Sequence, residues 1–201
     1  MRFIAAYLVL LAAACSSDGQ YLPKDGDVVF QVSQSAQSRA IQLATGSPYS
    51  HMGIVYLREG EPFVFEAVQP VKLTPLRDWI KRGKGGQFVA KRLRDSRTLL
   101  SPQVLQQMKS IGEEFSGRDY DVYFEWSDER MYCSELVWKI FKRGAGIEIG
   151  TLANLGDFDL SSPAVKEKLQ ERFGDSVPLS EIVISPSSMF ESPMLETVFS
   201  N

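Results

Sequence analysis

Two β-rich runs, "SHMGIVYL" (50–57) and "PFVFEAV" (62–68), are separated only by "REGE". Short β-branched and aromatic runs joined by a glycine-containing turn predict a β-hairpin, and this pair constrains the fold more than any other part of the chain. A two-residue loop at Glu59-Gly60 would pair Arg58 with Glu61. The same register sets Glu66 opposite Gly53 and His51 opposite Val68, so all four share one face. A slip of one residue would send Glu66 to the other face.

The rest of the chain supplies strands early and helices late. "DVVFQV" (27–32), a short run within "VKLTPL", and "QFVAKRLR" (87–94) predict further strands. "SQSAQSRAIQLATG" predicts a helix capped by serine and ended by Gly46, and "TPLRDWIKRG" a helix with Pro75 in its first turn. "SPQVLQQMKSIGEEFSG" (101–117) predicts an amphipathic helix capped by Ser101, with Val104, Leu105, Met108 and Ile111 as its apolar stripe. "CSELVWKIFKRG" (133–144) predicts another, and residues 162–173 a polar one. The segments beyond are read as irregular and proline-punctuated. This distribution argues for an α+β domain.

The N-terminus reads separately. "MRFIAAYLVLLAAACSS" has one cation, Arg2, an apolar stretch too short to span a bilayer, and small residues before Cys15. Residues 1–14 are therefore expected to be a signal peptide. The ending Leu11-Ala12-Ala13-Ala14-Cys15 resembles a bacterial lipobox, which implies lipidation of Cys15. Cleavage after Ala14 to give a soluble periplasmic protein is the alternative. Residues 15–26 then read as lipidated N-terminus and tether, and 27–201 as one catalytic domain. The chain carries 22 basic and 25 acidic residues, a mild acidity that gives no reason to expect a nucleic-acid partner.

Only two cysteines are present, Cys15 and Cys133. With Cys15 lipidated, Cys133 is a solitary exported thiol, and an unpaired thiol in an oxidising compartment invites oxidation unless it has work to do. Cys133 falls at the start of its predicted helix, where free N–H groups and the helix dipole favour a thiolate. A buried, purely structural cysteine is the competing reading. His51 is the single histidine, so a Cys–His pair has one possible composition. Glu66, a charge inside an apolar strand, is the candidate to orient the ring. One histidine and one remaining thiol argue against a structural zinc site, and no cofactor is expected. "GKGG" (83–86) lacks phosphate-loop spacing. The acidic residues Asp119, Asp121, Glu125, Asp128 and Glu129 are expected to form a solvated loop at the cleft mouth. The basic stretch Arg77–Arg97 is expected to be a solvated face.

"GDVVFQVSQSAQSRAIQLATGSPYSHMGIV", "PFVFEAVQPVKLTPL" and "YDVYFEWSDERMYCSELVWK" together resemble the YiiX-like proteins, of the circularly permuted branch of the NlpC/P60 papain-like superfamily. The similarity covers nearly all of the mature chain, and in that branch the histidine strand precedes the cysteine helix, as here. The resemblance implies a small antiparallel sheet packed on the cysteine helix. It also implies Cys133 as nucleophile, His51 as base and Glu66 as orienting residue, with Tyr120 near the oxyanion. The expected function is a cell-envelope thiol hydrolase cleaving an amide bond in a small or cell-wall-derived peptide. Acyl transfer or thioester cleavage on lipid, and a non-catalytic envelope-binding lipoprotein, are the alternatives. The hairpin register adds a geometric expectation: a Glu66 oxygen bonded to one His51 nitrogen, directly or through a water, with the other nitrogen facing the Cys133 sulfur.

The lipobox reading predicts that the expressed protein incorporates labelled fatty acid and partitions into detergent. Cys15→Ser should lose both properties, and equal membrane retention in that variant would overturn the lipoprotein expectation.

Overall fold

The computed structural model describes residues 20–201. The signal peptide expected over 1–14 and the lipidation site expected at Cys15 lie outside the described residues. Along the chain run β1 (Val28–Gln31), α1 (Ala36–Thr45), β2 (His51–Arg58), β3 (Glu61–Glu66), β4 (Lys72–Pro75), α2 (Leu76–Arg82) and β5 (Val89–Leu93). The second half holds α3 (Ser96–Leu99), α4 (Pro102–Phe115), β6 (Asp119–Tyr120), β7 (Arg130–Met131), α5 (Cys133–Ala145) and β8 (Ala153–Asn154). It closes with α6 (Pro163–Phe173), β9 (Ile182–Val183), α7 (Pro186–Phe190) and β10 (Leu195–Ser200). The main sheet has six strands in the order β10-β5-β1-β2-β3-β4, antiparallel throughout.

The hairpin forms in the expected register, with Arg58 opposite Glu61 and Ile54 opposite Phe65. Glu59 and Gly60 have φ of 53° and 86°. Positive φ at both turn residues matches the right-handed twist of the strands, which is why this turn sets the register so firmly. The ladder stops at the Ile54–Phe65 pair; neither the expected Glu66–Gly53 pairing nor the expected His51–Val68 pairing is part of it. His51 pairs instead with Gln31 on its other side.

Alternation divides the sheet into two apolar faces. Val28, Phe30, Met52, Ile54 and Phe65 join Met108, Leu136, Ile140 and Phe141 from α4 and α5 in the main core. Val29, Val55, Val64 and Ala90 turn the other way and pack with Leu76, Trp79 and Phe88. His51 and Glu66 follow the parity of Val55 and Val64, so their side chains belong to the α2 face while α5 covers the opposite one. The two faces meet where β2 begins.

Local signals place most helices. Ser35 and Ser101 accept from Ser38 N–H and Val104 N–H as N-caps, and Gly46 closes α1 in the left-handed region at φ 63°. Pro75 is the last residue of β4 and the N-cap of α2, one step before the first turn expected for it. Two further expectations are corrected. Residues 21–26, read as tether, lie against the sheet: Gly26 N–H donates to Val55 C=O at 2.9 Å, Asp25 accepts from Leu57 N–H at 2.9 Å, and the Tyr21 ring packs on Phe88 and Phe199. The C-terminal residues, read as irregular, form edge strand β10 on β5. A largely solvent-facing edge strand has little apolar alternation to betray it.

Helices α4 and α5 approach closely at Gly144, where an added Cβ would meet Met108 Cα at 2.7 Å. Gly144→Ala should therefore lower stability by about 1–3 kcal/mol despite alanine's better helix propensity. The check is a fall in the urea midpoint at unchanged m-value.

Candidate active site

Cys133 is the first residue of α5, and the segment before β10 fixes that helix start. Tyr132, the N-cap, gives its N–H to the Glu135 carboxylate at 3.5 Å and accepts on its hydroxyl from Ile184 N–H at 3.1 Å. The Ser134 hydroxyl donates to Ile184 C=O at 2.7 Å. These contacts hold the first turn, and with it the thiol, which is 2% exposed.

His51 opens β2 beside that turn. Its Nε2 lies 2.6 Å from Glu66 Oε2. With Nε2 so engaged, the interaction of the ring with the Cys133 thiol falls to Nδ1. The indole of Trp79, fully buried, stacks on the imidazole at 6.2 Å between centroids and 30° between planes. Burial pulls the imidazole pKa down. The hydrogen bonds to Cys133 and Glu66, and the charges of those two groups, outweigh it and push the pKa up to about 9.

Glu66 is completely buried. Its second oxygen accepts from the Thr74 hydroxyl at 2.6 Å and from the Arg82 guanidinium. Burial opposes its charge, but the bonds from His51 and Thr74 and the nearby Arg82 hold its pKa below the ordinary carboxylate value. Gly53 is needed beside it: a Cβ there would run into the Val64 side chain and come within 3.3 Å of Glu66 Cβ.

Tyr120 adjoins the same thiol. Its hydroxyl accepts from Gln37 Nε2 at 3.0 Å, and its pKa is raised, mainly by burial and next by the charge of Cys133. The structure thus gathers Cys133, His51, Glu66 and Tyr120 at one place. Thr74, Arg82, Trp79 and Gln37 complete their surroundings and were not singled out from the sequence. Only the placement of Arg82 and Thr74 on a helix and strand following Glu66 hinted at them, since neither follows a motif.

Two cavities flank the pair. On the Cys133 side, a chamber of about 740 Å³ with its open mouth is lined by Ala40, Ile41, Leu155, Val165, Leu169 and Ile184. On the His51 side, a cleft of about 770 Å³ with its open mouth is lined by Ser33, Ser35, Ser38 and Ser50 together with the apolar Ala67, Val68 and Val122. The solvated-loop expectation for the acidic run is corrected at Asp121, which is fully buried and accepts from Tyr123 N–H at 2.8 Å and Glu125 N–H at 2.7 Å. The solvated-face expectation for the basic stretch is corrected at Lys91, which is buried and donates to Phe190 C=O, and at Arg92, bound to Asp27; Arg82 stays exposed while binding Glu66. Arg82 and Arg92 each serve a buried carboxylate that patterning of charge alone does not reveal.

Because the folded pKa of His51 lies above its ordinary 6.5, its protonation stabilises the fold fully below about pH 6.5, and that contribution is lost as pH rises through about 9. Wild type should lose stability across this window more steeply than His51→Gln. Urea unfolding at pH 6 and pH 9.5 reads the difference, and parallel pH profiles would remove the imidazolium from the account.

Residues 22–199 match the family described as "Permuted papain-like amidase enzyme, YaeF/YiiX, C92 family". The protein called "Uncharacterized protein YiiX" of Escherichia coli (strain K12) is 47% identical over 176 residues, which span 88% of this chain and 86% of that one. The crystal structure of "metalloprotein yiiX" from Escherichia coli O157:H7 superposes with a TM-score of 0.86 at 45% identity, covering 90% of this chain and 99% of that chain. The metal named for that relative has no evident seat among the described residues here, where no three His, Cys, Asp or Glu side chains gather as a possible ligand set. The histidine strand first, the cysteine helix after it, and an antiparallel sheet between helices are the permuted papain-like arrangement, and the chain belongs to the YaeF/YiiX family of permuted papain-like amidases, enzymes that hydrolyse amides with a cysteine.

Proposed function

We propose that the enzyme hydrolyses an amide joining an apolar acyl group to a small polar amine, with Cys133, His51 and Glu66 as its triad. The observation that carries this reading is the difference between the two cavities about the Cys133–His51 pair: apolar side chains dominate the thiol side, whereas on the imidazole side four serines stand beside Ile41, Ala67, Val68 and Val122. The acyl group occupies the first and the amine leaves through the second.

In this mechanism the Cys133 thiolate attacks the amide carbonyl and a C–S bond forms. The negative charge moves to the carbonyl oxygen, where N–H groups at the start of α5 and the Tyr120 hydroxyl stabilise it. Protonated His51 gives its proton to the amine nitrogen, the C–N bond breaks, and a thioester remains. A water then loses a proton to His51 and attacks the thioester, releasing the carboxylic acid and the thiolate. Glu66 holds the ring throughout by Nε2, so Nδ1 carries every proton. A polar amine from a cell-wall peptide fits the serine cleft. Export and lipid anchoring rest on the N-terminal sequence and place the reaction in the cell envelope.

Transfer of the acyl group to an alcohol or amine acceptor shares the thioester and differs only in what resolves it. Product analysis separates the two: free octanoic acid from octanoyl-p-nitroanilide means hydrolysis, and an acylated acceptor means transfer.

Cys133→Ala should abolish p-nitroaniline release while the protein stays folded; retained activity would end the thiol mechanism. His51→Ala should cost about 10²–10⁴-fold in kcat/KM. The alkaline limb of kcat/KM should fall near pH 9, where His51 loses its proton. Glu66→Gln should move that limb to lower pH, and an unmoved limb would show that Glu66 does not act through the ring.

A further inference from the structure

The Tyr120 hydroxyl has an unusual hydrogen-bond balance. Its oxygen accepts from Gln37 Nε2 at 3.0 Å, whereas no described residue accepts its proton. The phenol is held from both ends of its peptide as well: Tyr120 N–H donates to Gln69 Oε1 at 2.8 Å, and Asp119 and Tyr120 pair with Arg130 and Met131, directly before the cysteine helix. Gln37 stands in the first turn of α1, a helix pinned by its Ser35 cap and packed on α6. Both Gln37 and Tyr120 line the apolar chamber together with Cys133, and both also line the serine-rich cleft. They therefore sit on the partition between the two cavities, where a scissile bond must lie.

We infer that Gln37 is a positioning residue: by donating to the Tyr120 oxygen it denies that oxygen's proton any use except a hydrogen bond to the oxyanion formed at Cys133. The inference rests on the thiol-hydrolase reading above. A phenol can rotate its proton freely about the C–O bond. A fixed donor at one lone pair excludes the orientation that would point the proton at Gln37, leaving the proton on the side of the chamber. Such a donor, set before the charge develops, needs no reorganisation during the reaction. The phenol stays protonated because burial opposes the phenolate. Arg172, lying over the Phe124 ring at 5.2 Å and also lining the chamber, places positive charge near the phenol and strengthens it as a donor.

The test turns on reversing one hydrogen bond. Gln37→Glu replaces the donor by an acceptor, so the Tyr120 proton turns to residue 37 and is lost to the oxyanion. Gln37→Met removes the donor without capturing the proton. Tyr120→Phe sets the scale, expected at about 10²–10³-fold in kcat for loss of one oxyanion donor. With octanoyl-p-nitroanilide, Gln37→Glu should approach the Tyr120→Phe loss in kcat at nearly unchanged KM, and Gln37→Met should fall between it and wild type. Alkylation of Cys133 by iodoacetamide forms no oxyanion, so its rate should stay within about twofold of wild type in all variants.

A loss in Tyr120→Phe with none in Gln37→Glu would overturn the inference and leave the hydrolase reading standing. A Tyr120→Phe variant as active as wild type would remove the oxyanion role and the inference with it. Slowed alkylation in Gln37→Glu would make Gln37 a support of the Cys133–His51 pair instead. If wild type does not turn over the anilide, the hydrolase reading fails on that probe, and octanal decides separately. Octanal forms a hemithioacetal at Cys133, so it should protect the thiol from iodoacetamide in wild type and much less in Gln37→Glu. Equal protection in the two, or none in wild type, would overturn the inference.

Discussion

The buried carboxylate of Glu66 is the group on which the site depends. An ionised carboxylate removed from water is costly unless its oxygens are fully engaged. Here one oxygen meets His51, and the other meets Thr74 and Arg82. Those three partners come from three other elements, β2, β4 and α2, so satisfying the charge brings them together around β3. Cys133 and the same carboxylate together keep His51 protonated in a place where burial alone would neutralise it. A ring held at Nε2 and shielded by Trp79 can offer only Nδ1 to the thiol.

The thiol is delivered by a different mechanism. Helix α5 packs by its apolar stripe on the face of the sheet opposite to His51, and only its first residue reaches the strand end where the faces meet. Tyr132 and Ser134 are each bonded to Ile184, which gives the helix start a fixed reference outside its own hydrogen bonds. Helix α4 backs α5 at Gly144, where the absence of a side chain sets how near the two axes come. The reacting groups thus lie at a junction of two packed layers, and neither layer alone contains the site.

The difference between the cavities then gives the site a direction. The chamber beside Cys133 takes its apolar lining from α1, residues 155–160, α6 and the segment before α7. The serine-rich cleft is made by the β1–α1 connection and the start of β2. In the proposed hydrolysis, a substrate whose two halves differ in polarity binds with its carbonyl toward the thiol and its amine toward the imidazole.

Much of this was legible in the sequence because it is local. The Glu59-Gly60 turn fixes the hairpin register, and a register fixes faces, so the meeting of Glu66 with His51 followed from strand geometry. Helix caps at Ser35 and Ser101 and the left-handed Gly46 act within a few residues and were readable for the same reason. With one histidine and one thiol in the described chain, the composition of the pair was also determined. What the tertiary structure decided is everything that depends on residues distant in sequence arriving at one point. Arg82 belongs to a basic stretch that reads as solvated, and only the arrival of α2 over the hairpin turns it into the counter-ion of Glu66. Asp121 reads as part of an acidic loop, yet is buried by contacts with its own backbone. Strand β10 pairs with β5 across about half of the chain length, and its solvent-facing residues carry no alternation. The apolar chamber has no sequence signature at all, because its lining comes from six separate segments, each with a few ordinary apolar residues. Periodicity reports what a segment buries; which other segment it is buried against is set by packing.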